Sequence, residues 1–334
     1  MKLAMDLGSS VTKIYRADVN NGIVLFEPSC VAVEGEDEKV FAVGKDAKKQ
    51  LGRTTGNARV IYPIYEGTVA DHELAVKMLK EFVTRAELSK YVRRSETVFA
   101  VPCGVSGEAL WQYKELASAC GFKRMHFVEV PYLAVYGSGI ALTGDRPVFT
   151  IDIGAGTTNI AVVSLSGMNA GISINVGGNA MDYSILEYMK NSKGLNVGTL
   201  TSERIKNEIG SLSEHAKNST LAEGSSVENF MPAAASVKSQ EIFTCIRMYI
   251  DKVIEYAQLV LNQLPAEVSA DVHRSGVLLT GGVTKLPYVK EYFEEKLKIS
   301  PMVAEAPNFA VVRGGGVVLR DKKLLAKIEL SFDD

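Results

Sequence analysis

Two short turns carry residue types that can bind phosphate. Asp6 precedes Gly8-Ser9-Ser10, and Asp152 precedes Gly154-Ala155-Gly156-Thr157-Thr158. Glycine has no Cβ, so the backbone N–H groups of such turns can contact phosphate oxygens directly. A carboxylate beside each turn can hold the water shell of Mg²⁺, which usually keeps several waters. The pattern indicates a triphosphate held by two turns with the metal near Asp6 and Asp152, although each aspartate can also serve only to cap its turn.

A third glycine-rich segment and a charged pair are candidates for binding a base and a sugar. Residues 276–283 (GVLLTGGV) predict a buried strand running into Gly281-Gly282, where a flat base can lie against the backbone. A glycine pair after a strand is also typical of an ordinary turn. Glu203 and Lys206 lie three residues apart on a helical segment that begins near Thr201. Their side chains can therefore reach one ligand or pair with each other.

The strands that must hold the two turns repeat along the chain. Residues 2–6 and 11–17 flank the first turn, and residues 148–152 and 159–165 flank the second. Each turn thus lies inside a predicted hairpin, which differs from a strand-to-helix phosphate loop. The repetition predicts an internal duplication of one α/β unit, with a cleft between two related lobes.

Apolar periodicity predicts the elements that pack behind the hairpins. A core-facing helix follows Asp71, its N-cap, and a long helix over 240–264 ends at Pro265. Another helix carries Leu286, Val289, Phe293 and Leu297 on one face. Residues 211–239 show little apolar pattern and predict loops at the margin of a subdomain. The last ten residues predict a helix or strand end and a solvated tail at Asp333 and Asp334.

Composition narrows the class of protein. The 334 residues are 46% hydrophobic with a formal net charge of −2, which fits two cored lobes and argues against general nucleic-acid binding. Without a long apolar run or signal peptide, the chain is expected to be a soluble cytoplasmic protein. P-loop, Rossmann and GxSxG motifs are absent. The cysteines lie far apart and predict reduced thiols instead of disulfides or a zinc site: Cys30, Cys103, Cys120 and Cys245.

Three motifs in order resemble those of the actin, sugar-kinase and heat-shock ATPase superfamily. DLGSSVTK at 6–13 and DIGAGTTN at 152–159 are similar to its phosphate motifs, and LTGGV at 279–283 to its adenosine motif. FEPSCVAV at 26–33 and AVVRGGG at 310–316 resemble stretches of MreB, the bacterial actin. The likeness covers essentially the whole chain and marks it as a divergent MreB-like paralogue.

This resemblance implies an α/β, actin-like ATPase fold with two related, ribonuclease-H-like lobes. Lobe I would span 1–145, with a small inserted subdomain at about 29–66 and the C-terminal residues 312–334 returning to it. Lobe II would span 146–311, with an inserted subdomain at about 179–240.

The resemblance also implies ATP or ADP with Mg²⁺ in the central cleft and head-to-tail polymerisation into filaments for cell shape. Such filaments would lie in the cytoplasm, with the inner face of the cell membrane as one possible location. A specialised actin that positions an organelle, such as a magnetosome, or DNA is the main alternative. A small-molecule kinase and a nonpolymerising, nucleotide-gated binding protein are less favoured, because no sugar-binding constellation accompanies the nucleotide motifs.

Site roles carry over by position. The first phosphate loop includes a carboxylate near the metal and is followed by a lysine that would contact phosphate. The second phosphate loop contains catalytic candidates. Glycines and charged residues would line the ribose and the adenosine. In this order the residues are Asp6, Gly8, Ser9, Ser10 and Lys13; Asp152, Gly154, Gly156, Thr157 and Thr158; then Gly178, Glu203, Lys206, Gly281 and Gly282.

Several positions depart from the MreB pattern. Where MreB typically reads EEP, this chain has Glu129-Val130-Pro131, so the carboxylate that orients the attacking water aligns with Val130. Valine accepts no hydrogen bond, which predicts slow hydrolysis. Glu129 is a candidate replacement, although adjacent residues generally point in different directions. Lys13 replaces an apolar residue, Asn159 an aspartate and Val283 a glycine.

Membrane contact has two interpretations. The chain begins almost directly in its first strand, without the amphipathic helix that precedes it in some MreB proteins. Residues 88–94 occupy roughly the place of an apolar membrane loop, but a loop with basic residues is also typical of a solvated surface. The apolar members are Leu88, Tyr91 and Val92, beside Lys90, Arg93 and Arg94.

Overall fold

The computed structural model describes residues 1–19, 22–53, 56–143 and 146–332. Within them, two five-stranded sheets dominate the fold, each with helices packed against it and a smaller sheet attached. This arrangement matches the two related lobes expected from the repeated hairpins. The predicted lobe boundary at residue 145 and the predicted solvated ending at Asp333 and Asp334 lie outside the described residues.

Lobe I is built on the first large sheet, in the order β10-β9-β1-β2-β3, with a small sheet in the order β5-β4-β6. The strands are β1 (Lys2–Leu7), β2 (Val11–Arg16), β3 (Ile23–Pro28), β4 (Val31–Glu34), β5 (Lys39–Val43), β6 (Arg59–Ile61), β7 (Ile64–Tyr65), β8 (Thr68–Val69), β9 (Glu96–Val101) and β10 (Arg124–Glu129). The helices are α1 (Lys45–Lys48), α2 (His72–Arg85), α3 (Gly107–Ala119) and α4 (Val130–Gly137).

Lobe II is built on the second large sheet, in the order β13-β12-β11-β17-β18, with a small sheet in the order β14-β15-β16. The strands are β11 (Val148–Ile153), β12 (Thr158–Ser164), β13 (Gly167–Ile174), β14 (Leu195–Asn196), β15 (Ser219–Ser226), β16 (Pro232–Lys238), β17 (Val277–Thr280) and β18 (Pro301–Val303). The helices are α5 (Gly178–Lys193), α6 (Thr199–Ile209), α7 (Ser239–Asn262), α8 (Ala266–Ser275) and α9 (Val289–Leu297).

The last two helices are α10 (Ala310–Val318) and α11 (Lys322–Ile328), and both lie against lobe I. Helix α10 packs on α4 and β1, and the residue after α11, Glu329, bridges to Val128 at the end of the sheet. The Leu330 N–H donates to the Phe127 carbonyl at 2.8 Å. The sequence predicted a helix end or a strand end here, and the structure has a short helix followed by a strand-like contact.

The two hairpins share one register. In the first, Asp6 lies directly opposite Lys13, and in the second, Asp152 lies directly opposite Asn159. Strand β1 also pairs in parallel with β9, as β11 does with β17. The internal duplication predicted from the repeated hairpins is therefore visible in the strand pairing itself.

The helices predicted from periodicity form. Asp71 caps α2 by accepting the Leu74 N–H at 2.9 Å, and the apolar face of α2 is buried in the lobe I core. Helix α7 ends at Asn262, three residues before Pro265, because proline disfavours helical geometry in the residue ahead of it. Helix α9 begins at Val289, so Leu286 belongs to the preceding turn.

The prediction of loops over 211–239 was wrong for residues 219–226 and 232–238, which are strands, whereas residues 211–218 contain neither helix nor strand. Residues 219–238 form the β15–β16 hairpin, in which Ala222 and Val237 are fully buried. Less exposed positions alternate with exposed ones, as a strand requires, but they are occupied mainly by small residues such as the half-buried Ala233 and Ala235. Small and hydroxyl side chains give almost no apolar contrast, so the period of two was not recognised.

Of the two interpretations of residues 88–94, the structure disfavours an apolar membrane loop, because most of its apolar side chains point into the lobe I core. Leu88 and Val92 are buried in the lobe I core, and only Tyr91 of the three apolar residues is exposed. Arg93 and Arg94 are exposed beside it. Among the described residues, none of the helices combines the length and hydropathy that a membrane crossing requires.

Candidate functional site

A cavity of about 550 Å³ lies between the two lobes, within the size range of small-molecule sites. Both hairpin turns and the segment after β17 contribute to its walls. Its lining contains all but two of the predicted site residues: Asp6, Gly8, Ser9, Ser10, Lys13, Asp152, Gly154, Gly156, Thr157, Gly178, Glu203, Lys206, Gly281 and Gly282.

The first turn presents a neutralised carboxylate. Lys13 Nζ lies 2.6 Å from Asp6 Oδ2, and the two side chains are only 15% and 17% exposed. The pair forms because the two residues face each other across the β1–β2 ladder. Lys13 therefore brings a fixed positive charge to the cavity wall, beside the turn.

The second turn presents a carboxylate with no cation bonded to it. Asp152 is buried, and its Oδ1 accepts a hydrogen bond from the Thr280 hydroxyl at 2.8 Å. Burial, with a further contribution from nearby Asp6, raises the pKa of Asp152 to about 6. Sequence reasoning missed Thr280, although it is the threonine of the LTGGV motif.

Three glycines of the turns lie where a Cβ atom would be too close to neighbouring atoms. A Cβ on Gly8 would lie 2.9 Å from the Val11 carbonyl oxygen, and one on Gly154 would lie 3.0 Å from the Thr157 carbonyl oxygen. Each turn thus needs glycine at the same point for its own closure. A Cβ on Gly156 would lie 2.5 Å from Ser9 Oγ of the other lobe. The two turns therefore meet face to face, and Gly156 permits that approach.

At the wall that the resemblance assigns to adenosine, Lys206 pairs with Asp182, a residue that the sequence analysis did not select. Its Nζ donates to Asp182 Oδ2 at 2.7 Å and to the Gly178 carbonyl at 3.0 Å. Asp182 lines the cavity one helical turn after Gly178, a spacing that would have identified it. Burial raises the pKa of Asp182 to about 6, while the neighbouring Lys206 partly offsets that shift.

Glu203 pairs across the cleft instead of with Lys206. Lys48 Nζ, on α1 of lobe I, lies 2.9 Å from Glu203 Oε1 and 2.6 Å from Oε2. The two residues are separated by 155 positions in sequence. No local pattern links residues at such a separation, so sequence reasoning missed Lys48.

Two predicted catalytic residues lie outside the cavity lining. The Glu129 carboxylate accepts the Gly104 N–H at 2.6 Å, and burial raises the pKa of Glu129. The Thr158 hydroxyl is fully buried and donates to the Val176 carbonyl at 2.6 Å. Val130 is the residue that lines the cavity at this point, because β10 ends at Glu129 and α4 begins at Val130.

The acidic residues fit a metal ion that shares its coordination with a ligand. In the described part of the chain, no group of three or more His, Cys, Asp or Glu side chains is placed to hold a metal. Asp6 and Asp152 are close enough to repel each other, which a divalent cation would relieve. Two carboxylates suit Mg²⁺ when waters and phosphate oxygens complete the octahedron.

Comparison with known sequences identifies relatives along the whole chain. A profile of the MreB/Mbl protein family matches residues 1–327. The cell shape-determining protein MreB of Escherichia coli K12 is 34% identical over 329 residues, covering 95% of this chain and 92% of that protein. The cell shape-determining protein Mbl of Bacillus subtilis 168 is 32% identical over 330 residues, covering 98% of each.

Solved structures share the fold. MreB5 of Spiroplasma citri bound to AMPPNP aligns with a TM-score of 0.90 and 27% identity, covering 97% of this chain and 96% of that one. The same protein bound to ADP aligns with a TM-score of 0.90. A chain of the MamK double helical filament aligns with a TM-score of 0.79 at 19% identity, covering 96% and 99%, which supports the fold alone. The predicted actin-like fold is confirmed.

Proposed function

The chain belongs to the MreB/Mbl protein family, and from that premise we propose that it is a bacterial actin that binds ATP or ADP between its lobes and assembles into cytoskeletal filaments. One observation carries the nucleotide proposal: turns from both lobes, with the same register, meet at one cavity. The nucleotides bound to MreB5 and the cell-shape role named for MreB and Mbl support it.

The proposed phosphate contacts come from both turns. The glycine-containing turns line the cavity where phosphates would lie and would supply backbone N–H donors, and Lys13 would add a point charge. Gly282, where a Cβ would meet nothing within 4 Å, would leave room for the adenine, and Gly281 lines the same wall; Gly178, Lys206 and Glu203 would lie near the ribose. Binding at both walls would bring the two lobes together around one ligand.

Asp6 and Asp152 would hold Mg²⁺ through its water shell. When bound, the ion would neutralise phosphate charge and fix the geometry of the triphosphate. Thr280 orients the Asp152 carboxylate, and Lys13 orients that of Asp6. Both oxygen donors are therefore held in place by the protein before a ligand enters.

We propose that hydrolysis is slow. An attacking water needs an acceptor that orients it and takes its proton, and the Val130 side chain offers none. Glu129 is held by the Gly104 N–H away from the cavity lining. The nucleotide would then act mainly as a structural joint between the lobes, with slow turnover.

We propose filaments formed by head-to-tail addition of subunits in the cytoplasm, for cell shape or intracellular organisation. A head-to-tail contact that does not close into a ring gives an open filament. Membrane contact through Leu88 and Val92 is not part of this proposal, because both side chains are buried.

The test combines nucleotide binding with assembly. Titration with a fluorescent ATP analogue, in Mg²⁺, should show saturable binding that Lys206→Met weakens and the exposed Lys217→Met leaves unchanged. Electron microscopy and sedimentation should show filaments with ATP and with a nonhydrolysable analogue. A wild-type protein that binds no adenine nucleotide, or that stays monomeric at high concentration with ATP, would overturn the proposal.

A further inference from the structure

One ion pair ties the two lobes together. Lys48 Nζ donates to both carboxylate oxygens of Glu203, at 2.6 and 2.9 Å. Among the ion pairs of the described residues, it alone joins lobe I to lobe II; every other pair lies within one lobe. Lys48 is the last residue of α1, beside the small sheet of lobe I, and Glu203 is on α6.

The pair is part of a charged group at the cavity. Glu203 and Asp182 both line the main cavity and an adjoining one of about 490 Å³, which Lys48 also lines. Asp182 is close enough to Lys48 and Glu203 for both charges to act on its pKa, in opposite directions. With Lys206 on Asp182, the group holds two cations and two carboxylates. Lys48 is the member supplied by the other lobe.

The strength of the pair suits a reversible contact. The Lys48 and Glu203 side chains are 24% and 33% exposed, so water screens part of their attraction. Pairs of this kind contribute on the order of 1 kcal/mol or less, too little to determine the fold. A contribution of that size is sufficient to change the lifetime of a closed cleft several-fold.

We propose that Lys48 is a positioning residue for the nucleotide. It holds the Glu203 carboxylate at the sugar side of the cavity and ties the small sheet of lobe I to lobe II across the cleft. The bound nucleotide leaves only when this pair opens, so Lys48 slows its release. This inference rests on the proposed nucleotide binding, and it adds Lys48 as a residue that controls the rate of nucleotide release.

The experiment measures nucleotide dissociation by displacing a fluorescent ADP from the full-length protein with excess ADP. Lys48→Met should raise the dissociation rate about 5-fold, the effect of losing one partly exposed ion pair. Lys48→Arg should stay near the wild-type rate, since arginine keeps the charge. Lys49→Met is the matched control, because Lys49 pairs with Asp46 on the surface of lobe I.

A double-mutant cycle shows whether Lys48 acts through Glu203. In a Glu203→Gln background, Lys48→Met should produce little further acceleration, and raised salt should narrow the difference between wild type and Lys48→Met. Equal rates for Lys48→Met and Lys49→Met, or full additivity with Glu203→Gln, would overturn the inference while leaving nucleotide binding intact. Absence of nucleotide binding by the wild type would overturn both proposals.

Discussion

In the first turn the Asp6 carboxylate lies opposite Lys13 and is paired with it at 2.6 Å, whereas in the second turn Asp152 lies opposite Asn159, which carries no charge. The strand register is the same in both. Thr280 supplies a hydroxyl donor to Asp152 but no positive charge. One hairpin design therefore carries two different electrostatic environments, one neutralised internally and one not.

The difference indicates that the two lobes contribute different charges to the cleft. Burial makes the charged form of a carboxylate costly when no cation is bonded to it, and it raises the pKa of Asp152 to about 6, although the Thr280 hydroxyl and the more distant charge of Lys13 partly offset that shift. A metal ion or ligand cation beside Asp152 would favour the charged form. Lobe I thus brings its own cation to the cleft, and lobe II presents the carboxylate whose charge depends on what is bound.

The largest expected effect comes from adding a carboxylate on the lobe I side. Val130 lines the cavity, and Val130→Glu would supply the acceptor that an attacking water requires. We expect phosphate release from ATP to rise about 100-fold, at the lower end of the usual contribution of general-base catalysis. Val130→Gln is the matched control, since an amide can orient water but is a poor base.

Phosphate release measured in single turnover with polymerisation held constant separates chemistry from assembly. Equal or slower release by Val130→Glu, with nucleotide affinity unchanged, would mean that the cavity lacks more than this carboxylate. It would also overturn the proposal that Val130 slows ATP hydrolysis by the wild-type chain.

The second prediction tests the uncompensated charge of Asp152 in nucleotide-free protein with a chelator present. Its folded-state pKa of about 6 lies above the ordinary aspartate pKa of 3.8, which applies to the unfolded chain, so between these values the folded state binds more protons than the unfolded state. Stability should therefore fall as pH rises through that window. Relative to Asp152→Asn, wild type should lose about 2 kcal/mol of unfolding free energy between pH 4 and pH 7.

Urea unfolding at a series of pH values measures this difference, and subtracting the Asp152→Asn curve removes other groups such as Asp182. If the unfolding free energies of wild type and Asp152→Asn changed in parallel with pH, the pKa of Asp152 would not be raised in the folded state. Mg²⁺ with nucleotide should flatten the wild-type curve, because a bound cation favours the charged form.

The sequence was sufficient wherever local pattern decides structure. Both hairpins, α2 and the long helix α7 follow from turn residues, an N-cap and a 3.6-residue apolar period, and the actin-like fold follows from the order of three motifs. The β15–β16 hairpin was missed because alanine and serine at alternating positions carry little hydrophobic contrast. Periodicity is informative only where the two faces differ chemically.

The site was less predictable because the directions of its side chains and the contacts between the lobes are determined by tertiary structure. Glu129 and Val130 are neighbours in sequence, yet a strand ends at one and a helix begins at the other, which directs only Val130 into the cavity lining. Glu203 was expected to meet a ligand or to pair with Lys206; it lines the cavity, and its partner in the protein is Lys48 of the other lobe. Such pairings depend on how the two lobes pack against each other.

A third, smaller effect concerns the contact between the turns. Gly156→Ala would place a Cβ 2.5 Å from Ser9 Oγ and 2.8 Å from Ser9 Cβ, and Gly156 is not at positive φ, so this contact is the main obstacle. The lobes would have to separate slightly, and we expect nucleotide affinity to fall about 10-fold. Ser9→Gly in the same chain should restore most of it, as measured by titration with a fluorescent nucleotide. Failure of the restoration would mean that Gly156 is needed by its own turn, as Gly8 and Gly154 are.

The smallest expected effect tests whether the lysine of lobe I serves its own hairpin. Lys13→Met removes the cation but keeps an unbranched chain, and leaves Asp6 as a largely buried carboxylate without its partner. We expect nucleotide-free protein to lose about 1 kcal/mol of unfolding free energy, discounted for the residual exposure of the pair. Adding Asp6→Asn should restore most of that loss, since no unpaired charge then remains. If Lys13→Met is neutral in urea unfolding but weakens nucleotide binding, Lys13 acts on the ligand alone, and the internal neutralisation that distinguishes the first turn from the second has no energetic consequence.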